Sequence, residues 1–356
     1  MYLHDALASV FPDVVRLGPL KSAREPVGVA RRLASWTKKK DHPLWLTQAS
    51  AKSMAYQVEE RIKELKPDAV FSVWHPPVAY LRTSLPVFMF QDSPFEVIQP
   101  LYDGMAHFTP KIMQEVALVE RMAAKRCTGI IETSDWAATE ARKLWRLADE
   151  KVAAIPFGAN VDSSVTSGNI DEILSARSGQ VCQLLWLGKD WARKGGDTAV
   201  EATRILNKRG IPTKLTVIGC EVPGLVPDFV REVGFVDKRL PEGKLMLDEI
   251  MRACHALILP TKAEAFGIVY LEAAAYAMPS LAPNVMGVGS AVLDGKTGAL
   301  LPVDAGPEAY ADKVECWWNS REEYDALCRL AFETYQQEFT WEQVGKKIRD
   351  YMLSRV

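Results

Sequence analysis

Two glutamates, Glu264 and Glu272, frame the segment "EAFGIVYLE", with seven uncharged residues between them. Carboxylates accept hydrogen bonds from hydroxyl groups, so Glu272 could hold a ribose and Glu264 a sugar further along the same ligand. Gly267, between them, lets a ligand approach the backbone closely. The spacing therefore suits a ligand made of a sugar, phosphates and a nucleoside, in that order. The alternative is that both glutamates are solvated and that their helix merely packs.

A second group of residues with chemical potential lies in "GKDWARKGGD", where Lys189 and Lys194 flank a short turn and Arg193 lies beside the second lysine. The two glycines that follow are expected to open a helix. Cations beside a helix start would neutralise a departing diphosphate. A solvated basic loop is the alternative, since that is the usual fate of a charge cluster. The sequence contains neither a Walker loop nor a G-x-G-x-x-G pattern.

The apolar runs around these residues predict the elements that position them. Short buried strands are predicted at 68–74, 86–90, 128–134, 151–158, 182–188, 214–220, 231–236, 255–260 and 279–283. Helical spacing of apolar residues predicts helices at 111–127, 134–147, 197–210, 243–254 and from 267 onward. Continuous apolar strands that alternate with helices are typical of parallel sheets covered on both faces. In such sheets, ligands bind at the carboxyl ends of the strands.

The length of 356 residues exceeds what one core usually supports, so two domains are expected. We predict an α/β chain with two doubly wound, Rossmann-like domains that face each other across a cleft. The first domain is placed at 1–160, a polar linker at 161–180 and the second domain at 181–338. A helix at 339–356 ends the chain and could pack back on the first domain.

Composition limits the possible partners and the compartment. A net charge of −2, with 48% apolar and 25% charged residues, gives no sign of a nucleic-acid partner. The basic run "WTKKKDH" at 36–42 is interpreted as a solvated loop, with a membrane-surface or acidic-substrate patch as the alternative. The six cysteines lack metal-site spacing and are expected to be buried free thiols. With no signal peptide or membrane span, a cytoplasmic protein is expected, with peripheral contact at the inner membrane face left open.

Taken together, these segments resemble glycosyltransferase family 4, whose members are retaining, nucleotide-sugar-dependent enzymes of the GT-B architecture. The resemblance lies in the E-x7-E element "AEAFGIVYLEA", in the phosphate-binding loop "GKDWARKGG" and in "PNVMGVGSAVLDGKTGALLP" at 283–302. In the last segment the family has a glycine-rich turn and a D-G-x-x-G strand. The resemblance extends into the first half through "ETSDWAA" and "IPFGANVD" and covers roughly residue 86 to the C-terminus.

Position by position, the resemblance implies a role for each matching residue. Glu264 would bind hydroxyls of the transferred sugar, Lys189 and Lys194 would hold the diphosphate, and these three count with Asp92 as the catalytic set. The donor-binding residues implied are Glu272, Phe266, Gly267, Ile268, Val269, Gly188, Arg193, Gly287, Val288 and Gly289. Such enzymes generally use neither a metal nor a further cofactor, because side chains and helix ends do the neutralising.

Two features depart from the family pattern. The family opens with a strand and a glycine-rich loop, whereas this sequence opens with a segment that looks like the following helix, so the first domain is expected to lack its usual first strand. Many members carry a histidine where this chain has Gln91 and Asp92. Asp92 could orient an acceptor hydroxyl or take its proton, or it could cap the next helix. His75 is assigned a core or loop role.

The resemblance implies a retaining transferase of the hexosyltransferase type. It would move a sugar from a nucleotide-diphosphate-sugar to a hydroxyl of a sugar, glycan or lipid-linked acceptor, in glycan, polysaccharide or glycolipid synthesis. A catalytically impaired sugar-nucleotide-binding protein and a GT-B epimerase are the alternatives. The nucleotide base, the sugar, the acceptor and the oligomeric state are left open.

Overall fold

A computed structural model describes residues 2–23, 44–102 and 108–356 of the protein. The chain divides into two compact units. The first unit comprises Leu3–Pro156 and Gly345–Val356, and the second comprises Tyr2 and Phe157–Val344. The basic run at 36–42 lies outside the described residues.

The first unit contains a parallel sheet of four strands in the order β1-β2-β3-β4. Its strands are β1 Val70–Ser72, β2 Val87–Gln91, β3 Gly129–Glu132 and β4 Val152–Ala154. Its helices are α1 Tyr2–Ala8, α2 Gln48–Leu65, α3 Pro76–Ala79, α4 Phe95–Ile98, α5 Pro110–Arg126 and α6 Asp135–Trp145. Every residue of β2 and β3 is buried, as expected for inner strands covered on both faces. Ser134 caps α6, because its side chain accepts from the Ala137 N–H.

The second unit contains a parallel sheet of six strands in the order β10-β9-β8-β5-β6-β7. Its strands are β5 Cys182–Leu187, β6 Thr213–Ile218, β7 Val230–Gly234, β8 Ala256–Ile258, β9 Ser280–Pro283 and β10 Gly298–Leu301. Its helices are α7 Ile170–Ala176, α8 Gly196–Lys208, α9 Pro241–Ala253, α10 Ile268–Ala274, α11 Val288–Ala291, α12 Pro307–Asn319 and α13 Arg321–Thr334. The predicted α/β class with two parallel sheets is therefore confirmed.

The segment predicted as a linker is structured instead. Residues 161–180 lie within the second unit and contain α7. Ile170, Ile173 and Leu174 are buried on one face of this helix. These three apolar residues at helical spacing provide enough buried surface for one short helix, although the polar residues around them hide the period in the sequence. Arg177, which follows the helix, is buried and donates to the backbone carbonyls of four residues, Met251, Arg252, Tyr276 and Ala277.

The last helix, α14, spans Trp341–Leu353, and its residues from Gly345 onward belong to the first unit. The Tyr351 hydroxyl donates to the Lys151 carbonyl over 2.6 Å, and its ring meets the Phe88 ring edge-on. These contacts bring the end of the chain against β2 and β4.

Two further observations concern the membrane and the cysteines. Within the described ranges, no helix combines the length and the apolar character needed to cross a bilayer. All six cysteines are free; four of them are buried, Cys220 is half-buried and Cys316 is exposed.

Candidate functional site

The order of the second sheet places a switch point between β5 and β8. The chain proceeds outward from β5 to β6 and β7, then returns to add β8 on the other side of β5. Connections from the carboxyl ends of these two neighbours therefore run in opposite directions, which opens a crevice between them. The two segments singled out in the sequence are the connections that follow β5 and β8.

Backbone contacts join these two connections. The Lys262 N–H donates to the Arg193 carbonyl over 2.7 Å, and the Arg193 guanidinium donates to the Ala263 carbonyl over 2.5 Å. The Trp186 indole, at the end of β5, donates to the Lys194 carbonyl over 3.1 Å. The structure thus brings together two segments that are about 70 residues apart in sequence.

Glu264 lies at the centre of an ionic cluster formed by these connections. Its Oε2 lies 3.1 Å from Lys194 Nζ and 3.4 Å from Arg193 Nη1. All three side chains are 13–15% exposed. Asp190, which the sequence analysis did not single out, accepts from Arg193 Nε over 3.1 Å. Two cations and two carboxylates therefore balance each other. Glu264, Lys194 and Arg193 are mostly buried, where electrostatic interactions are stronger than in water, whereas Asp190 is 40% exposed.

Glycines make this close arrangement possible. A Cβ added at Gly188 would lie 2.5 Å from Lys194 Cδ, so the lysine stem crosses the strand end where no side chain stands. Gly267 precedes α10 with φ +93°, and a Cβ there would lie 2.5 Å from the Tyr270 ring. A larger residue would be strained at Gly267 both by its backbone conformation and by this contact.

The structure places both glutamates in the connection that follows β8. Glu264 lies in the turn between β8 and α10, and Glu272 lies in the second turn of α10. Phe266 and Val269 are buried, and Ile268 is half-buried. The first amides of a helix have no intrahelical acceptor, so those at the start of α10 can face an anion.

Glu272 is only 4% exposed, and its carboxylate has a cationic partner that the sequence analysis missed. Its Oε1 lies 2.6 Å from Lys238 Nζ, which also donates to the Asn160 carbonyl over 3.2 Å. Burial raises the pKa of the Glu272 carboxyl group, and Lys238 opposes that rise. Lys238 follows β7, and no sequence spacing relates it to a glutamate 34 residues later.

Lys189 is placed apart from the ionic cluster. Its side chain is exposed, and its ammonium group lies 5.2 Å from the centroid of the Phe235 ring. Lys194 is therefore the lysine of this loop that contacts Glu264. A cation above an aromatic face is attracted by the ring quadrupole, which favours this placement of Lys189.

The glycine-rich turn after β9 also reaches the site. The Gly287 N–H donates to the Glu264 carbonyl over 3.3 Å, which connects this turn to the connection after β8. Val288 is buried at the start of α11, and Gly289 is half-buried. Any contact of Val288 with a ligand would therefore involve its backbone rather than its side chain.

Asp92 belongs to the first unit, at the carboxyl end of β2. The Thr133 hydroxyl lies 2.9 Å from its carbonyl and 3.0 Å from its Oδ1. The N-cap of the next helix is Pro94, so the alternative role of Asp92 as that N-cap is not what the structure contains. Asp92 is exposed, whereas His75, the other first-unit candidate, is buried.

No three His, Cys, Asp or Glu side chains converge as metal ligands in the part of the chain that the structure describes. Among those residues, the charges near the switch point are carboxylates paired with lysine and arginine.

Known proteins are similar in sequence to this part of the chain. Residues 182–320, which lie within the second unit, match the family model of glycosyl transferases group 1. D-inositol 3-phosphate glycosyltransferase from Paenarthrobacter aurescens (strain TC1) is 30% identical over 171 residues, which are 46% of this chain and 41% of that protein. The chain spans about half the length of the curated relatives it matches.

Solved structures of similar fold cover more of the chain. Sucrose-phosphate synthase from Thermosynechococcus elongatus superposes with a TM-score of 0.68 at 17% identity, covering 99% of this chain and 91% of that one. Anabaena Alr3699/HepE, solved in complex with UDP-glucose, gives a TM-score of 0.60 at 16% identity, with 88% and 84% covered. At such identities the likeness concerns the fold alone, and it confirms the predicted GT-B fold.

Proposed function

We propose that the protein is a retaining glycosyltransferase that resembles family 4 and transfers a hexose from a nucleotide-diphosphate-sugar to an acceptor hydroxyl. The cluster of Glu264, Lys194 and Arg193 carries this proposal. It lies at the switch point of a parallel sheet, where ligands of such folds bind, and within the residues that match the glycosyl transferases group 1 model. The UDP-glucose held by the similarly folded Anabaena protein supports the donor class.

The diphosphate of the donor would replace Glu264 as the ionic partner of Lys194. Lys194 is held by one ion pair with Glu264, so its ammonium group can turn to a phosphate that carries more charge. Glu264 then offers its oxygens to hydroxyls of the transferred sugar. Arg193 is anchored by Asp190 and the Ala263 carbonyl, so it holds the loop while Lys194 moves.

The nucleoside end of the donor is assigned to Glu272. A carboxylate oxygen accepts more than one hydrogen bond, so Glu272 can receive ribose hydroxyls while Lys238 keeps part of its charge compensated. The backbone around Gly267, the turn at 287–289 and Lys189 complete the proposed donor contacts. Lys189 would have to leave the Phe235 ring to reach a phosphate.

Retention of configuration is proposed to need no nucleophile from the protein. The bond from the sugar to the phosphate oxygen breaks first, and the cations stabilise the departing diphosphate. That diphosphate then takes the proton of the acceptor hydroxyl as the new bond forms on the same face. Asp92 would orient the acceptor. Neither a metal nor another cofactor is part of this proposal, because Lys194, Arg193 and the helix start supply the positive charge.

The setting proposed is glycan, polysaccharide or glycolipid synthesis in the cytoplasm. A lipid-linked acceptor would bring the enzyme to the inner face of the membrane, and the basic run at 36–42 is the segment we assign to such contact.

The test begins with binding. Thermal unfolding of the full chain is followed with UDP-glucose and with GDP- and ADP-linked sugars, because a ligand that binds the folded state raises the midpoint. Release of the nucleoside diphosphate, with and without candidate acceptors, then measures turnover. Lys194→Ala should weaken both signals, whereas Lys208→Ala, an exposed lysine at the end of α8, should change neither.

The results separate the possibilities. Stabilisation together with acceptor-dependent release of the nucleoside diphosphate supports the transferase. Stabilisation without turnover against any acceptor would refute catalysis and leave a binding protein. If no nucleotide sugar raises the unfolding midpoint, the assignment of the donor site is wrong.

A further inference from the structure

The first unit holds a second group of buried polar side chains that the proposed chemistry does not use. It lies where β1, β2 and β3 end, and it comprises His75, Gln91, Glu132 and, from α5, Glu120. None of these four side chains is more than 6% exposed. Two carboxyl groups at full burial need a physical explanation, because glutamates are almost never buried without a partner.

These side chains hold one segment of backbone, residues 91–96. Glu120 Oε1 accepts from the Phe95 N–H over 2.8 Å, and the Glu96 N–H also interacts with the Glu120 carboxyl group. Glu132 Oε1 accepts from Gln91 Nε2 over 3.1 Å. Since Asp92 lies between these anchors, its position depends on both glutamates.

Among the residues that the structure describes, no cation compensates the two carboxyl groups. The titratable groups that face Glu120 from the elements packed around it are His75, Glu96 and Glu132, and Asp92 faces Glu132. Burial lowers the pKa of His75 to about 3, so its ring, 3.7 Å from Glu120 Oε1, is neutral at ordinary pH. Burial likewise raises the pKa of Glu120 to about 8 and that of Glu132 well above its usual range.

The hydrogen bonding around Glu120 and Glu132 is that expected of uncharged carboxylic acids. Glu120 Oε2 and Glu132 Oε2 are buried and have no hydrogen-bond partner within the described ranges. The two ring nitrogens of His75 are likewise buried and without a hydrogen-bond partner there. An ionised carboxylate with a dry, unpaired oxygen is far more costly than a neutral carboxylic acid. A carboxylic acid still offers the carbonyl oxygen that accepts from Phe95 or from Gln91.

We propose that Glu120 and Glu132 are positioning residues: as uncharged acids they hold residues 91–96, and with them Asp92, and Glu120 releases its proton when this segment opens. The part about Asp92 rests on the proposed function, while the hold on the segment does not. Opening would bring water to Glu120 and return it to its ordinary acidity. The closed state therefore binds the proton more tightly, so rising pH favours opening between about 4.5 and about 8.

Glu120→Gln separates this proposal from simple packing. Glutamine keeps the carbonyl oxygen and the volume of the side chain but cannot ionise. Amide hydrogen exchange of the full chain is compared among wild type, Glu120→Gln and Glu120→Ala at about pH 6 and about pH 8. Variants are compared at the same pH, so the intrinsic exchange rate cancels. Glu150→Gln, at an exposed carboxyl group of the same unit, is the matched control.

The expected result is specific to the segment and to pH. Exchange in residues 91–98 of wild type should rise relative to Glu120→Gln by up to about tenfold per pH unit, and Glu150→Gln should follow wild type. Glu120→Ala should exchange faster than wild type at both pH values. The proposal is overturned if the ratio of the exchange rates of wild type and Glu120→Gln is the same at about pH 6 and about pH 8. It is also overturned if Glu120→Gln exchanges in this segment as fast as Glu120→Ala does.

Stabilisation by UDP-glucose is measured on the same samples. Because that signal comes from the second unit, its absence would count against the proposed function and leave the exchange result intact. A normal UDP-glucose signal with pH-independent exchange would count against the positioning role alone.

Discussion

Replacing Lys238 by methionine removes the charge that compensates Glu272 and keeps most of the apolar stem. Glu272 is 4% exposed, and its Oε1 lies 2.6 Å from the lysine nitrogen. Removing one partner of a fully buried ion pair costs about 3–5 kcal/mol, because the other charge stays buried and unpaired. Lys238 is 46% exposed, so solvent already screens part of this pair and the expected loss is about 1–3 kcal/mol.

The loss of stability in Lys238→Met should grow as the pH rises. Burial raises the pKa of Glu272 above its unfolded value, so this group costs stability as pH rises from that value toward the folded pKa. Without Lys238 the folded pKa rises further, and the cost continues to grow to higher pH. Lys238→Met should therefore be close to wild type at about pH 4 and clearly less stable at about pH 8.

Thermal unfolding followed by circular dichroism measures this effect. For a unit of this size, 1–3 kcal/mol lowers the midpoint by about 2–12 °C. Lys244→Met is the matched control, because Lys244 is similarly exposed and pairs with Asp162, which is itself 58% exposed. That variant should lie within about 0.5 kcal/mol of wild type. Adding Glu272→Gln to Lys238→Met should recover most of the stability at about pH 8.

Two results would refute this reasoning. Equal losses of stability in Lys238→Met and Lys244→Met would mean that the burial of Glu272 does not make its ion pair more important for stability than an exposed ion pair. A loss in Lys238→Met that stays the same at about pH 4 and about pH 8 would mean that the charge on Glu272 is not its origin.

Three further predictions concern the proposed donor site. Lys194→Ala should lower kcat/KM for the nucleotide sugar by about 30-fold to 1,000-fold, equivalent to about 2–4 kcal/mol, while Lys189→Ala should lower it less. Steady-state release of the nucleoside diphosphate measures both, and the reverse order would contradict the structure. Turnover should survive EDTA, because side chains supply the positive charge; loss of activity that Mg²⁺ restores would contradict this. Gly267→Ala should cost about 1–3 kcal/mol in thermal unfolding, since φ is +93° and the Tyr270 ring fills the space of a Cβ, and an unchanged midpoint would contradict the strain.

Local sequence patterns were sufficient for the elements that carry the site. Predominantly apolar runs such as Cys182–Leu187 are mostly buried strands. The short polar turn and glycine after Ala256–Ile258 place Glu264 at a strand end. The same patterns failed for α7, whose three buried residues are too few to show a period among polar neighbours. They also left α2, α12 and α13 unpredicted, although these helices are 13–18 residues long.

The sequence by itself determined the chemical types available and their place along each strand–turn–helix unit, because those depend on residues close together in the chain. The tertiary structure decided which charges meet. Sheet order brings Arg193 and Lys194 to Glu264, and it brings Lys238 to Glu272. It also gathers Glu120 and Glu132 beside His75, with no cation from the described ranges of the chain. Distances between residues far apart in sequence depend on how the strands are ordered, and no local pattern encodes that order.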